Sequence, residues 1–446
     1  MLTNRRYYGK ETGAALRNFP FSVPSVHWAL IQSIVEIKRS AARAALAARL
    51  LDPRRARAIV RACNEVLKRN LDDQFVVPSF QGGAGTSTHA NINEVLAARG
   101  TELLSRGRRA KAQEIHPNDH VNIGQSTNDV VPSALKIAAL REAKKVIQSV
   151  DLAVIALRRK ARAFRGIIKL GRTHLQDAVP TTLGTEFAAY AALLVRDQER
   201  VRAALPYCHE LNLGGSAVGN GVNVSPRFKA ALYRDLRRSL RLPLRPAVNL
   251  AAQTMSATDF FMLSSAFTML TLDLSKIAND LRILSSGPRG GIGEITIAPL
   301  QAGSSIMPGK VNPVLLEALN QLHFLVMGND LAIREAAQAA QLELSVMTPL
   351  IADRLLASTT LIAEVVTQAA RKCFALITVN RKRCEELLKR STAYATFLAP
   401  RLGYDVVAQL VREAVARNIA IEDLVIQKKL MTPAEIKSFT SRFTAR

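Results

Sequence analysis

Cysteine is scarce: Cys63, Cys208, Cys373 and Cys384 are scattered through 446 residues without CxxC spacing. Neither a disulfide framework nor a cysteine-based metal site is expected, and reduced thiols of a cytoplasmic protein are the natural reading. Long apolar runs are missing too. The opening MLTNRRYYGKETGAALRNFP holds no apolar core of the signal-peptide kind, and the most apolar later run, FFMLSSAFTMLTLDL, is broken by Ser264, Ser265, Thr268 and Asp273. No membrane-embedded segment is expected. P-loop and dinucleotide glycine spacings do not occur, nor does any alternation of strand-like and helix-like segments, which argues against a nucleotide fold. Glycine itself is absent between Gly328 and Gly403, where Pro349 and Pro400 are the only prolines. Long helices are expected there.

What the chain does have is an apolar fraction of 48% and a mean hydropathy of +0.07, values of a globular and not of a disordered protein. Lys and Arg number 61 against 36 Asp and Glu, a net charge of +25. The basic residues are spread along helical segments such as IALRRKARAFR and RDLRRSLRLPLR. They read as solvated helix faces, or as a field that steers small anionic substrates. A nucleic-acid partner is the less favoured reading.

The stretch from Leu135 to Phe164 repeats apolar residues three or four apart, and Asp259 to Leu284 is apolar on all sides, as in a helix buried within a bundle. The fold class is therefore mainly α, with a central bundle of long helices. Three parts follow along the chain: 1–127 mixed and helical, 128–382 the long-helix centre, and 383–446 a small helical part. The closing FTSRFTAR reads as a loose tail.

Against this background glycine clusters in four irregular segments, at 82–85, 214–221, 287–293 and 303–309, and loops gathered by a bundle are where chemistry is usually placed. GGAGTSTHANINEV, HPNDHVNIGQSTND and GRTHLQDAVPTTLG add hydroxyls, amides and histidines at candidate helix starts. Such starts suit a carboxylate or an oxyanion, and plain N-capping accounts for any one of them equally well.

The segment Gly303 to Pro313 reads GSSIMPGKVNP. It resembles the GSSxMPxKxNP signature of the aspartase/fumarase superfamily, and the resemblance extends from NFPFS at Asn18 to FLAPRLGYD near the C-terminus. It implies a helical homotetramer whose active sites each draw on three subunits. It also implies reversible anti-elimination of ammonia or water from a succinyl skeleton, with no cofactor and no metal site. By resemblance Ser304 is the general base, and Thr86, Ser126, Thr127 and Ser305 hold the enediolate that forms on proton removal. Lys310 and Asn312 clamp the other carboxylate. Asn128, Thr173 and His174 surround the leaving group, His174 being paired with Glu317. QGGAGTS, DQFVV and GNDLAIREAAQAAQLELSVM lean to the ammonia-lyase branch acting on L-aspartate. A fumarate hydratase, a lyase for a modified aspartate, and an idle basic scaffold are the alternatives.

Departures from the family pattern fall at Glu11, Ala14, His89, Ala90 and Ala98. His116 and His120 lie in a segment that in fumarases forms a secondary anion site, and capping by Asn118 or Asp119 accounts for them equally well. His27, His209 and His323 read as structural.

Overall fold

The computed structural model describes residues 5–105 and 114–441. Residues 1–4 of the opening segment and 442–446 of the closing FTSRFTAR lie outside the described residues. The chain is mainly helical. α1 (Lys10–Asn18), α2 (Trp28–Ala47), α3 (Pro53–Leu67), α4 (Thr86–Leu104) and α5 (Thr127–Ala163) come first. A hairpin of β1 (Ile168–Thr173) and β2 (Gln176–Thr182) leads into α6 (Leu183–Cys208), α7 (Pro226–Leu240), α8 (Leu250–Met255) and α9 (Thr258–Leu284). α10 (Val314–Gln338) ends within the glycine-free region and α11 (Thr348–Lys372) lies wholly inside it, where long helices are expected. α12 (Arg381–Arg390), α13 (Ala395–Leu402), α14 (Tyr404–Ala416), α15 (Ile421–Gln427) and α16 (Pro433–Ser441) follow. Two short pairs, β3 (Glu210–Leu211) with β4 (Arg245–Pro246) and β5 (Ile295–Thr296) with β6 (Thr378–Val379), tie loops together.

Helix starts obey local chemistry. Asp52 accepts from the Arg54 and Arg55 amides at 3.0 Å and Pro53 opens α3; Ser225 accepts from the Phe228 amide at 3.2 Å and Pro226 opens α7. Both follow the rule of an oxygen cap followed by a proline whose missing N–H is no loss. His27 takes the structural role expected of it, its Nδ1 accepting from the Ala29 amide at 3.1 Å to cap α2.

The chain divides into two compact units, one of Met1–Ile147, Glu199–Met269 and Phe324–Ala363, the other of Gln148–Gln198, Leu270–His323 and Glu364–Arg446. In the first unit α2 packs on α3 and α7, and α3 on α4, burying Ile34, Ile37, Ile59, Val66, Ile92 and Leu96. Each such side chain contributes about 1.5–3 kcal/mol of transfer free energy. In the second unit Leu398, Val407, Leu410, Leu424, Val425 and Met431 form a small core among α13 to α16.

The four thiols are free and buried, and burial pushes each of them up to about 12. One expectation needs correction. α9 is not buried on all sides within a single chain, for Met262, Met269 and Leu272 are exposed. α10 likewise exposes Phe324, Met327 and Leu331, spaced three and four apart on one face. Exposed apolar side chains grouped on one helix face are unusual for a surface that meets only water.

Candidate active site

In the first unit the candidate hydroxyls sit where α4 and α5 begin. Three consecutive residues before α4, Gly83, Ala84 and Gly85, have positive φ, so the chain reverses tightly and Thr86 becomes the first residue of the helix. The alanine is the costly member of that trio, and strain of this kind tends to be kept at functional sites. Thr86 is exposed and its Oγ1 donates to Gly83 O at 2.7 Å.

α5 starts at Thr127 and carries Pro132 in its first turns. Proline has no N–H to give to the carbonyl four residues back, and that carbonyl, Asn128 O, accepts instead from Asn212 Nδ2 at 2.9 Å. Asn212 Oδ1 in turn accepts from Ser133 Oγ at 2.9 Å. Asn128 Nδ2 donates to Ala217 O at 2.8 Å, and Ser126 Oγ accepts from the Asn128 amide at 3.3 Å. The glycine-rich segment at 214–221 is thereby fastened to the start of α5. Asp129, fully buried, completes the attachment by accepting from the amides of Ser126 at 2.9 Å and of Gly214 and Ser216 at 3.0 Å.

Two further buried groups, Lys38 and His89, lie close to this attachment. Lys38 is fully buried on α2 and its Nζ donates to Asn122 Oδ1 at 2.8 Å. Burial pushes it down to about 7, opposed by the nearby Asp129. Burial pushes Asp129 up to about 6, opposed by the three amides and by Lys38. His89, 2% exposed, places Nδ1 2.8 Å from Thr127 Oγ1 and so joins α4 to α5. Burial and the Lys38 charge hold its imidazole well below the usual histidine range, hence neutral. The departure at His89 is thus a buried contact to a candidate site residue, whereas Glu11 is exposed on α1. Lys38 was not singled out from the sequence. It lies among Arg39 and Arg43 in LIQSIVEIKRSAARAALA, and nothing in that run marks it as the buried cation.

In the second unit Thr173 closes β1 and His174 with Leu175 forms the two-residue tip of the hairpin. Both tip residues have positive φ, 54° and 62°, the conformation of a tight hairpin turn that asparagine and glycine normally fill. The tip holds His174 out into solvent. The register shifts between Leu170 and Arg172, and Gly171 at that bulge admits no side chain, since a Cβ would come 2.5 Å from Val179 O. Glu294, with no exposed side chain, anchors the hairpin through Lys169 and Arg172, each at 3.0 Å. That assigns GPRGGIGEI, the segment that runs into β5, a supporting role.

The Gly303–Pro313 segment is a mostly exposed loop leading into α10. Ser304 Oγ accepts from two backbone amides, Ile306 N at 3.2 Å and Met307 N at 3.0 Å. Asn312 Nδ2 donates to Gly303 O at 2.7 Å and closes the loop at its base. Gly303 is required there, because a Cβ would lie 2.1 Å from Lys310 O. Ser305 and Lys310 are exposed, and Glu317 sits in the first turn of α10. Within one chain no hydrogen bond joins His174 to Glu317 among the described residues. One unit therefore carries Thr86, Ser126, Thr127 and Asn128, and the other Thr173, His174, Ser304, Ser305, Lys310, Asn312 and Glu317.

The segment HPNDHVN forms a short helical turn at Pro117–Val121. Its cap is neither Asn118 nor Asp119. His116 Nδ1 accepts from the Asp119 amide at 3.2 Å, and the His116 amide donates to His120 Nδ1 at 2.8 Å.

Long helices presenting hydroxyls at their N-termini, and a glycine-bounded serine loop, are the features that the comparisons place in a family. The family model described as lyase matches residues 3–328. The chain is 40% identical over 437 residues to an aspartate ammonia-lyase of a Bacillus species, covering 98% of this chain and 93% of that protein. It is 39% identical over 429 residues to a class II fumarate hydratase of Bordetella parapertussis, covering 96% and 92%. Among solved structures, a fumarate lyase:delta crystallin from Brucella melitensis superposes with a TM-score of 0.94 at 39% identity, covering 99% of this chain and 96% of that one. The chain belongs to the lyase family of the aspartase/fumarase superfamily.

Proposed function

We propose that the protein is an ammonia-lyase that converts L-aspartate to fumarate and ammonia. Ser304 removes the proton from the carbon next to the side-chain carboxylate. The electron pair moves into that carboxylate to give an enediolate, and its return forms the double bond as the C–N bond breaks and the amine leaves as ammonia. The observation that carries this reading is the Ser304 hydroxyl oxygen with two backbone amides aimed at it. Donors of that kind favour the alkoxide over the alcohol, which is what a serine base needs. Ser126, Thr127 and Ser305 hold the enediolate with hydroxyl donors, and Thr86 joins them by turning its proton from Gly83 O to the ligand, while the buried Lys38 supplies a positive charge near Asp129. Lys310 and Asn312 fix the second carboxylate, and Asn128, Thr173 and His174, with Glu317, surround the amine.

The working form is a homotetramer in which each active site draws on three chains. Support comes from the exposed apolar face of α10 at Phe324, Met327 and Leu331, and from the division of the candidate residues between two compact units. A cytoplasmic location is supported by four buried, unpaired thiols. The 39% identity to a class II fumarate hydratase makes malate dehydration the second reading.

Ultraviolet absorbance of the fumarate double bond, followed with L-aspartate and separately with L-malate, decides between them. Signal from aspartate alone, lost in Ser304→Ala, supports the ammonia-lyase. Signal from malate alone replaces it with the hydratase, and silence with both refutes the two together.

A further inference from the structure

We propose that His89 is a positioning residue of the anion site: its Nδ1–H donates to Thr127 Oγ1 and thereby commits the single Thr127 hydroxyl proton to the bound carboxylate. This rests on the reading of Thr127 as a carboxylate donor.

The geometry leaves two neutral arrangements of the ring. Nδ1 is 2.8 Å from Thr127 Oγ1, and Nε2 is buried with no hydrogen-bond partner among the described residues. If Nε2 carried the proton, a buried N–H would be unpaired and Thr127 would have to turn its own proton inward, onto Nδ1. If Nδ1 carries it, only a lone pair is unpaired and the ring donates to Oγ1. Buried unpaired donors are rarer in folded proteins than buried unpaired acceptors, so the Nδ1–H form prevails. A threonine hydroxyl has one proton and two acceptor sites. With one acceptor site occupied by the imidazole, the proton is left to face outward, and a hydroxyl that accepts a hydrogen bond is a stronger donor in turn.

The consequence concerns ligand class. An amide at this position can rotate to present either its N–H or its C=O to Thr127, so the hydroxyl can face a ligand as donor or as acceptor. A ring of fixed tautomer fixes Thr127 as a donor. The group bound there must then present acceptors only, which favours an ionised carboxylate over a carboxamide.

Two measurements test the proposal. In the wild-type protein labelled with 15N-histidine, a long-range proton–nitrogen spectrum reads which ring nitrogen is protonated, the His89 signal being assigned by its loss in His89→Asn. Protonation at Nδ1 is expected; protonation at Nε2 overturns the proposal and leaves the reading of the site intact. Binding of succinate, a dicarboxylate that cannot react, is then measured in a double-mutant cycle. His89→Phe is expected to weaken succinate about tenfold when Thr127 is present, the scale of one hydrogen bond, and to change nothing in Thr127→Val. His89→Gln, which keeps an N–H donor, should recover most of the loss. Equal losses in both backgrounds overturn the role of His89 alone, while a wild-type protein that binds no succinate overturns the anion site and His89 with it.

Discussion

The start of α5 and the Gly303–Pro313 loop hold their hydroxyls in opposite ways. Each of the side chains of Ser126, Thr127 and Asn128 has a protein partner, and Lys38, His89 and Asp129 nearby are buried. Ser304, by contrast, sits on a loop closed by one side-chain bond from Asn312, with Ile306 83% exposed beside it. Under the proposed mechanism the difference separates two tasks. A site that stabilises developing charge benefits from donors fixed in advance, whereas a base must approach its substrate and then release product, which favours a segment able to close and open.

That contrast can be broken from either side. The largest effect is expected from Asp129→Ala, which strips three backbone amides of their acceptor and should lower unfolding free energy by about 2–4 kcal/mol. Denaturant titration reads this, and an unchanged midpoint would show that the buried network is dispensable. Gly303→Ala should do the reverse. Its Cβ meets Lys310 O and displaces Ser304, so turnover should fall about a hundredfold for a shift of an ångström, while the melting temperature stays near that of the wild type because the loop is exposed. Loss of stability without loss of turnover would refute the assignment of tasks.

A smaller effect sharpens the comparison through pH. Lys38 is held near 7 by burial, so it is protonated below that pH and neutral above it. Asp129, pushed up to about 6, is ionised above that value. Between the two values both are charged. As pH rises through 7 the positive charge near Asp129 and His89 disappears, and dicarboxylate binding should weaken several-fold at the scale of a partly screened unit charge. Succinate affinity against pH reads it, and Lys38→Met should flatten the curve. Smallest of all, Leu175→Gly at the hairpin tip should raise stability by about 0.5 kcal/mol, relieving a left-handed leucine at the entropic cost of a glycine. A fall in melting temperature would show that the exposed leucine has a packing role.

Much of this was legible in the residues alone. The glycine-free interval after Gly328 marked α11 and the end of α10, and GSSIMPGKVNP marked the loop as a unit because its glycines, prolines and serines contradict the helices around it. The Thr86 and Thr127 helix starts were visible as hydroxyls ahead of apolar periodicity. What the residues did not reveal depends on contacts distant in sequence. Nothing near Lys38 indicates that it lies beside Asp129, 91 positions later. Pro132 looks like an interruption of α5 until Asn212 is seen to serve the carbonyl it abandons. The turn at His174 and Leu175 carries none of the usual turn residues, so the hairpin has no local signature. α9 read as buried because an apolar outer face is indistinguishable in sequence from an inner one.

The four buried thiols, each held near 12, make the native chain dark to thiol-directed reagents, which attack the thiolate. A single cysteine introduced as Ile306→Cys would then be the lone reactive handle on the molecule. A fluorophore attached there would report whether the surroundings of the serine loop change when a ligand binds, on a background that needs no cysteine removed to create it.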